Sequence, residues 1–167
     1  MRSHGIVVPL VLALAGTPPT LPAPTPAGAA VSRTEDPAAT FRGERAAVEQ
    51  LVADYVGLYA AGTLERWKGL FHPALSVASP QDDGSIELRG LEEFFSAQKR
   101  YFATGRRIAE RLENVRIEEG RRIARVTADF VLTDDGEEGR GRLGLHLAQG
   151  EQGWKVVAII FSYDQAS

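Results

Sequence analysis

The run from Arg45 to Pro80 most narrows what this chain can fold into. Val48, Leu51, Val52, Tyr55, Val56 and Tyr59 recur at i, i+3, i+4, i+7, i+8 and i+11, which is the apolar stripe of one amphipathic helix. Gly62 reads as its C-terminal stop. Thr63 can cap a short second helix that carries Trp67, Leu70 and Phe71 and ends at Phe71-His72-Pro73. Leu75 to Ser79 then reads as a strand, and Pro80-Gln81-Asp82-Asp83-Gly84 as a turn. A helix running into a shorter helix and a strand points to a sheet wrapped around helices.

The rest of the chain completes that pattern. Ile86 to Leu88 is a short return strand, and Gly90 to Thr104 a third helix with Leu91, Phe94, Phe95, Tyr101 and Phe102 on one face. From Arg107 onward everything reads as strand and hairpin. Arg107 to Glu118 alternates, but its apolar phase slips between Leu112 and Val115, which predicts a bulge. Ala124, Val126, Ala128, Phe130 and Leu132 alternate with polar residues, and Asp135-Gly136 is a strong hairpin signal. Leu143, Leu145 and Leu147 form the next apolar face. Trp154 to Phe161 is nearly continuously apolar, as expected of a central strand covered on both faces. The fold class is α+β: a cone-shaped, curved antiparallel sheet wrapped around three N-terminal helices. Gly141, Gly144 and the bulge would let the sheet curl. The conical interior suits a small molecule.

Composition removes several functions. There is no cysteine, so disulfides, thiolate metal sites and a thiol nucleophile are excluded. The net charge of −3 comes from interspersed charges of both signs, without the basic stripe that nucleic acid requires. Arg2 followed by the apolar run Ile6 to Leu14 reads as a cleavable signal peptide, with Ala13-Leu14-Ala15 and Ala27-Gly28-Ala29 as cleavage candidates. That run is shorter than the ~20 residues a bilayer span takes, so no membrane association is expected after cleavage. The expected organisation is a signal peptide over 1–29, a disordered Pro-rich lead-in over 30–40 and one domain over 41–165, secreted or periplasmic. Removal of 1–29 also removes His4 and leaves only His72 and His146, too few for a three-histidine metal site. No metal and no cofactor is expected.

Several stretches resemble the nuclear transport factor 2-like superfamily. They are Val48 to Tyr59, Ala61 to Trp67, Leu70-Phe71-His72-Pro73, Arg89 to Phe95, and Gly153-Trp154-Lys155-Val156-Val157. The resemblance spans about Glu44 to Tyr163, and its closing segment is most similar to the lumazine-binding-like and polyketide cyclase-like (SnoaL-like) branch. It implies the cone fold and, through the open sheet face, a homodimer. It also implies site positions. Ketosteroid isomerases of this superfamily combine an Asp base with an oxyanion hole of a Tyr and a protonated Asp. Their helix tyrosine falls on Tyr55, but their Asp-Pro pair falls on Ser79-Pro80, and a serine hydroxyl holds its proton too tightly to be a base near neutral pH. Their second Asp falls near Leu143 to Leu145, where only leucine and glycine stand. Scytalone dehydratase-like chemistry uses paired histidines with tyrosines, and His72 and His146 match neither position clearly.

The candidate catalytic residues are therefore Tyr55, His146 and His72, and the candidate ligand-binding residues Tyr55, Tyr59, Trp67, Gln98, Tyr101 and His146. Tyr55 either packs its ring or donates to a ligand oxygen. Gln98 interrupts an apolar stripe and either lines the cavity or sits at the stripe edge. His146 faces a pocket if its strand face is concave and solvent if convex, and Arg142 shares that face. Two readings follow. The first is a non-catalytic binder of a small apolar or aromatic ligand in the cone. The second is an isomerase, lyase or cyclase using Tyr55 with His146 or His72.

Overall fold

A computed structural model describes residues 37–164, with side chains from Glu44 onward. The elements in chain order are α1 (Pro37–Gly57), α2 (Leu64–Lys68), β1 (Phe71–Pro80), β2 (Ile86–Gly90), α3 (Leu91–Phe102), β3 (Ile108–Gly120), β4 (Ile123–Asp134), β5 (Glu137–Gly150) and β6 (Gly153–Tyr163). The six strands form one sheet in the order β2-β1-β6-β5-β4-β3. All neighbours are antiparallel except β1 and β6, which run parallel. The helices cover one face. The signal peptide expected over 1–29 lies outside the described residues. No helix of the described residues is long and apolar enough to cross a membrane.

The helical stripe of α1 is buried as its spacing demands: Val48, Leu51, Val52 and Tyr55 are all under 9% exposed. Two boundaries differ from expectation. The helix already begins at Pro37, inside the segment expected to be a lead-in, and a proline suits a first helical turn because its missing N–H has no partner there anyway. It ends at Gly57 rather than Gly62, and Tyr59 reaches the core from the following turn. Thr63 stands at the start of α2, but its hydroxyl makes no capping bond. It donates back to the Leu58 carbonyl at 2.8 Å and closes the turn between the two helices.

Phe71, His72 and Pro73 are not the end of a helix. α2 stops at Lys68, and Phe71 opens β1. The spacing Trp67, Leu70, Phe71 mimics a helical stripe because both aromatic rings are needed in the core, where they meet edge to face at 4.6 Å. Pairing of β1 with β6 skips from Phe71↔Val156 to Ser76↔Ala158, so Pro73 lies in an irregular stretch where a missing backbone donor costs little.

The sheet curls through breaks in register. The phase slip in β3 is a bulge between Glu113 and Arg116, with Asn114 at φ 53°. A second break lies in β6: Val156 pairs with Leu147 and Ala158 with His146, so Val157 is an extra residue. It re-phases the inward face from Trp154 and Val156 to Ile159. The long apolar run of β6 therefore reflects a change of phase as well as a central place in the sheet. Its outer face is not covered, and Ile160 is 51% exposed. In β5 the ring of Phe130 from β4 lies against Gly141, where a methyl group would come within 2.6 Å of it and overlap the Ser162 carbonyl.

Candidate functional site

A cavity of about 70 Å³ lies between the helices and the concave face of the sheet. At the ~30 Å³ that a liquid water occupies, it encloses about two waters or roughly three non-hydrogen atoms of a ligand. α1 contributes Tyr55, the turn after it Tyr59, α2 Trp67, and α3 Phe94 and Gln98. The sheet contributes Glu110 from β3, Phe130 and Leu132 from β4, Leu143 from β5, and Phe161 and Tyr163 at the end of β6. Tyr163 is 52% exposed, so the cavity reaches the surface beside it.

The aromatic wall is fixed from α1. The Trp67 indole N–H donates to the Tyr55 carbonyl at 2.8 Å, which satisfies a donor that is otherwise wholly buried. The Tyr55 and Tyr59 rings both lie within 6 Å of Trp67, ring centre to ring centre. The Tyr59 hydroxyl donates to Gln98 Oε1 at 2.5 Å, so the amide that interrupts the α3 stripe is satisfied inside the cavity rather than at its edge. That bond leaves the Gln98 amide N–H₂ as a donor. No hydrogen bond to the Tyr55 hydroxyl is present among the described residues, so this group is free to meet a ligand. Burial pushes the phenols of Tyr55 and Tyr59 well above their ordinary values, with the nearby Glu110 charge adding to it, so both remain neutral donors.

Glu110 is the polar residue that sequence reasoning missed. It pairs with Leu132 across the ladder, and its side chain follows Ile108 and Leu112 onto the inward face of β3. Among the described residues it has neither an ion-pair partner nor a hydrogen-bond partner. Burial against apolar walls pushes its carboxyl up to about 7. The signal was in the sequence: Ile108-x-Glu110-x-Leu112 puts an acid in phase with two apolar residues.

The histidines are elsewhere. His146 lies on the outer sheet face with Arg142, both exposed, because Leu143, Leu145 and Leu147 take the inward phase of β5. His72 is exposed at the start of β1, where its Nδ1 accepts from the Ala74 backbone N–H at 3.1 Å. Neither lines the cavity, so neither can be paired with Tyr55. Tyr101 is also outside it: its hydroxyl donates to Asp134 at 2.8 Å, and burial together with that bond pushes it up to about 12. Ser79 and Pro80 do not reach the cavity either. No group of three or more His, Asp or Glu among the described residues could hold a metal ion.

A curled sheet closed by helices over an interior cavity is the cystatin-like fold of nuclear transport factor 2-like proteins, and this chain has that fold. Within that class the chain belongs to the SnoaL-like domain family, whose model matches residues 48–164. Three solved structures illustrate the likeness. A nuclear transport factor 2-like protein of unknown function from Shewanella baltica is 14% identical, with a TM-score of 0.58 over 75% of this chain and 98% of that one. One with a cystatin-like fold from Novosphingobium aromaticivorans is 16% identical, with a TM-score of 0.62 over 83% and 94%. The beta subunit of the benzoate 1,2-dioxygenase from Burkholderia mallei is 11% identical, with a TM-score of 0.60 over 70% and 88%. At these identities the likeness establishes the fold alone. No curated protein matches the sequence.

Proposed function

We propose that this chain binds a small, largely apolar or aromatic molecule in the cone without transforming it. One observation carries the reading: the polar groups of Tyr55, Tyr59, Gln98 and Glu110 converge on a single aromatic-walled space. Aromatic walls supply most of the binding energy, and the few polar groups set orientation. The test is native mass spectrometry of the full protein recovered from producing cells. One small molecule per chain is expected, and it should be absent from a Leu143→Trp variant, whose ring fills the cavity. A ligand-free mass for the unaltered protein as well as for the variant would end this reading.

The location of Glu110 favours one second reading, an isomerase, lyase or cyclase in which Tyr55 acts with Glu110 instead of a histidine. A carboxyl that titrates near neutrality can take and return a proton at physiological pH, and the neutral Tyr55 phenol can donate to a developing oxyanion. Deuterium uptake from D₂O at the α-carbon of a small ketone, followed by NMR and lost in Glu110→Gln, would support it. No uptake above the buffer rate would exclude proton abstraction from such ketones.

The same proposal places the mature protein outside the cytoplasm, after removal of 1–29, as a homodimer. The first rests on the N-terminal signal pattern. The second rests on apolar residues left open on the outer sheet face, where Leu88, Ala78 and Ile160 are cross-strand neighbours.

A further inference from the structure

We propose that the ligand of this cavity is a small organic cation, an amine or quaternary ammonium with an apolar body, held between the Glu110 carboxylate and the aromatic walls. The inference rests on the reading of the cavity as a binding site and names the chemical class that site would take.

Charge balance is the first argument. Of the twelve residues that line the cavity, Glu110 is the only one able to carry a formal charge near neutral pH, and no Lys, Arg or His stands among them. The titratable groups facing it are the phenols of Tyr55 from α1, of Tyr59 from the turn after it and of Tyr163 from β6, all pushed up by burial and by the Glu110 charge itself. From α3 it faces the neutral Gln98 amide, from β4 Phe130 and Leu132, and from β5 Leu143. A carboxylate in such surroundings has lost much of its hydration and gained no partner. A neutral ligand would shut out the remaining water and deepen that cost. A cation would offset it.

The walls are the second argument. Seven of the twelve lining residues are aromatic, contributed by both helical and sheet elements. Aromatic faces carry negative quadrupoles, and a desolvated cation enclosed by several of them is attracted to each. An aromatic enclosure with one acid at its wall is the arrangement by which quaternary ammonium groups are distinguished from neutral molecules of the same size. The volume sets the scale: about 70 Å³ encloses one face of a methylated ammonium group, and the rest of the ligand lies in the mouth beside Tyr163.

The experiment titrates the full chain with tetramethylammonium chloride and, separately, with tert-butanol, a neutral molecule of the same heavy-atom count. Binding is read from the NMR shift of the Trp67 indole N–H. At pH 8 the cation is expected to bind about ten-fold more tightly than the alcohol. Glu110→Gln should remove most of that preference. Lowering the pH from 8 to 5.5 should weaken the cation and not the alcohol, because only Glu110 changes charge in the cavity over that range. Should Glu110→Gln fail to fold, the pH series on the unaltered chain makes the same decision. Equal affinities for the two probes, insensitive to pH, would overturn the cation while leaving the cavity a binding site. No shift with either probe would overturn both.

Discussion

Glu110 is where a single residue works against the fold. Its carboxyl titrates at about 7 in the folded chain against about 4.5 in the unfolded one. The folded state therefore holds the proton more tightly and gains nothing from ionisation. Stability is greatest below about pH 4.5 with respect to this group, falls as the pH rises towards 7, and stays low above it. The loss is up to about 3 kcal/mol. Glu110→Gln should match the parent at pH 4.5 and exceed it at pH 8 by up to about that amount. Urea denaturation at the two pH values checks this, and equal stabilities at pH 8 would show that the carboxyl is not desolvated. Gly141 is the opposite case, a residue whose absent side chain is required. With the Ser162 carbonyl and the Phe130 ring in the space a methyl would fill, Gly141→Ala should cost about 1–3 kcal/mol, read as a lowered thermal midpoint. The periodicity of β3 already carried the position of Glu110, since an acid in phase with Ile108 and Leu112 points inward. What periodicity could not supply was the identity of its neighbours, which come from α1, α3 and β6.

At the scale of elements, the short helix α2 shows how a local pattern can mislead. Its five residues are too few to be stable alone. Trp67 holds it in place, through the bond to the Tyr55 carbonyl and edge-on contact with Phe71. Trp67→Phe keeps most of the packing and loses the bond, leaving a buried acceptor in α1, and should destabilise the protein by about 1–3 kcal/mol in equilibrium unfolding. The spacing of Trp67, Leu70 and Phe71 reads as a helix stripe because helix and strand both need those rings inward. Only the pairing of Phe71 with Val156 settles which element Phe71 belongs to. Elements with long, unambiguous periods were legible: the α1 stripe, the alternation in β4 and β5, the bulge in β3 and the Asp135-Gly136 turn, whose residues have φ 51° and 99° as a tight hairpin requires. Helix ends and the Val157 bulge were not, because each depends on a partner distant in sequence.

At the scale of the whole molecule, the sheet has two faces with different fates. The concave face is closed by helices and holds the cavity. The outer face leaves Ile86, Leu88 and Ile160 more than half exposed, with Ala78 in register between Leu88 and Ile160 and Pro80 opposite Ile86. If this face joins two copies, Ile160→Glu should convert a dimer into a monomer without loss of folded structure, as read by light scattering and circular dichroism. A monomeric mass for the unaltered chain would refute the dimer. His72→Ala and His146→Ala together should leave ligand binding unchanged, since both side chains face solvent away from the cavity. The sequence by itself determined the class of fold, because apolar stripes at helical and strand spacing bury only one way around a curled sheet. It also determined which aromatic residues wall the core. Tertiary structure alone decided the site. Whether His146 or Glu110 meets Tyr55 depends on which face of each strand is concave, and that choice is made by cross-strand register and two bulges rather than by any local pattern.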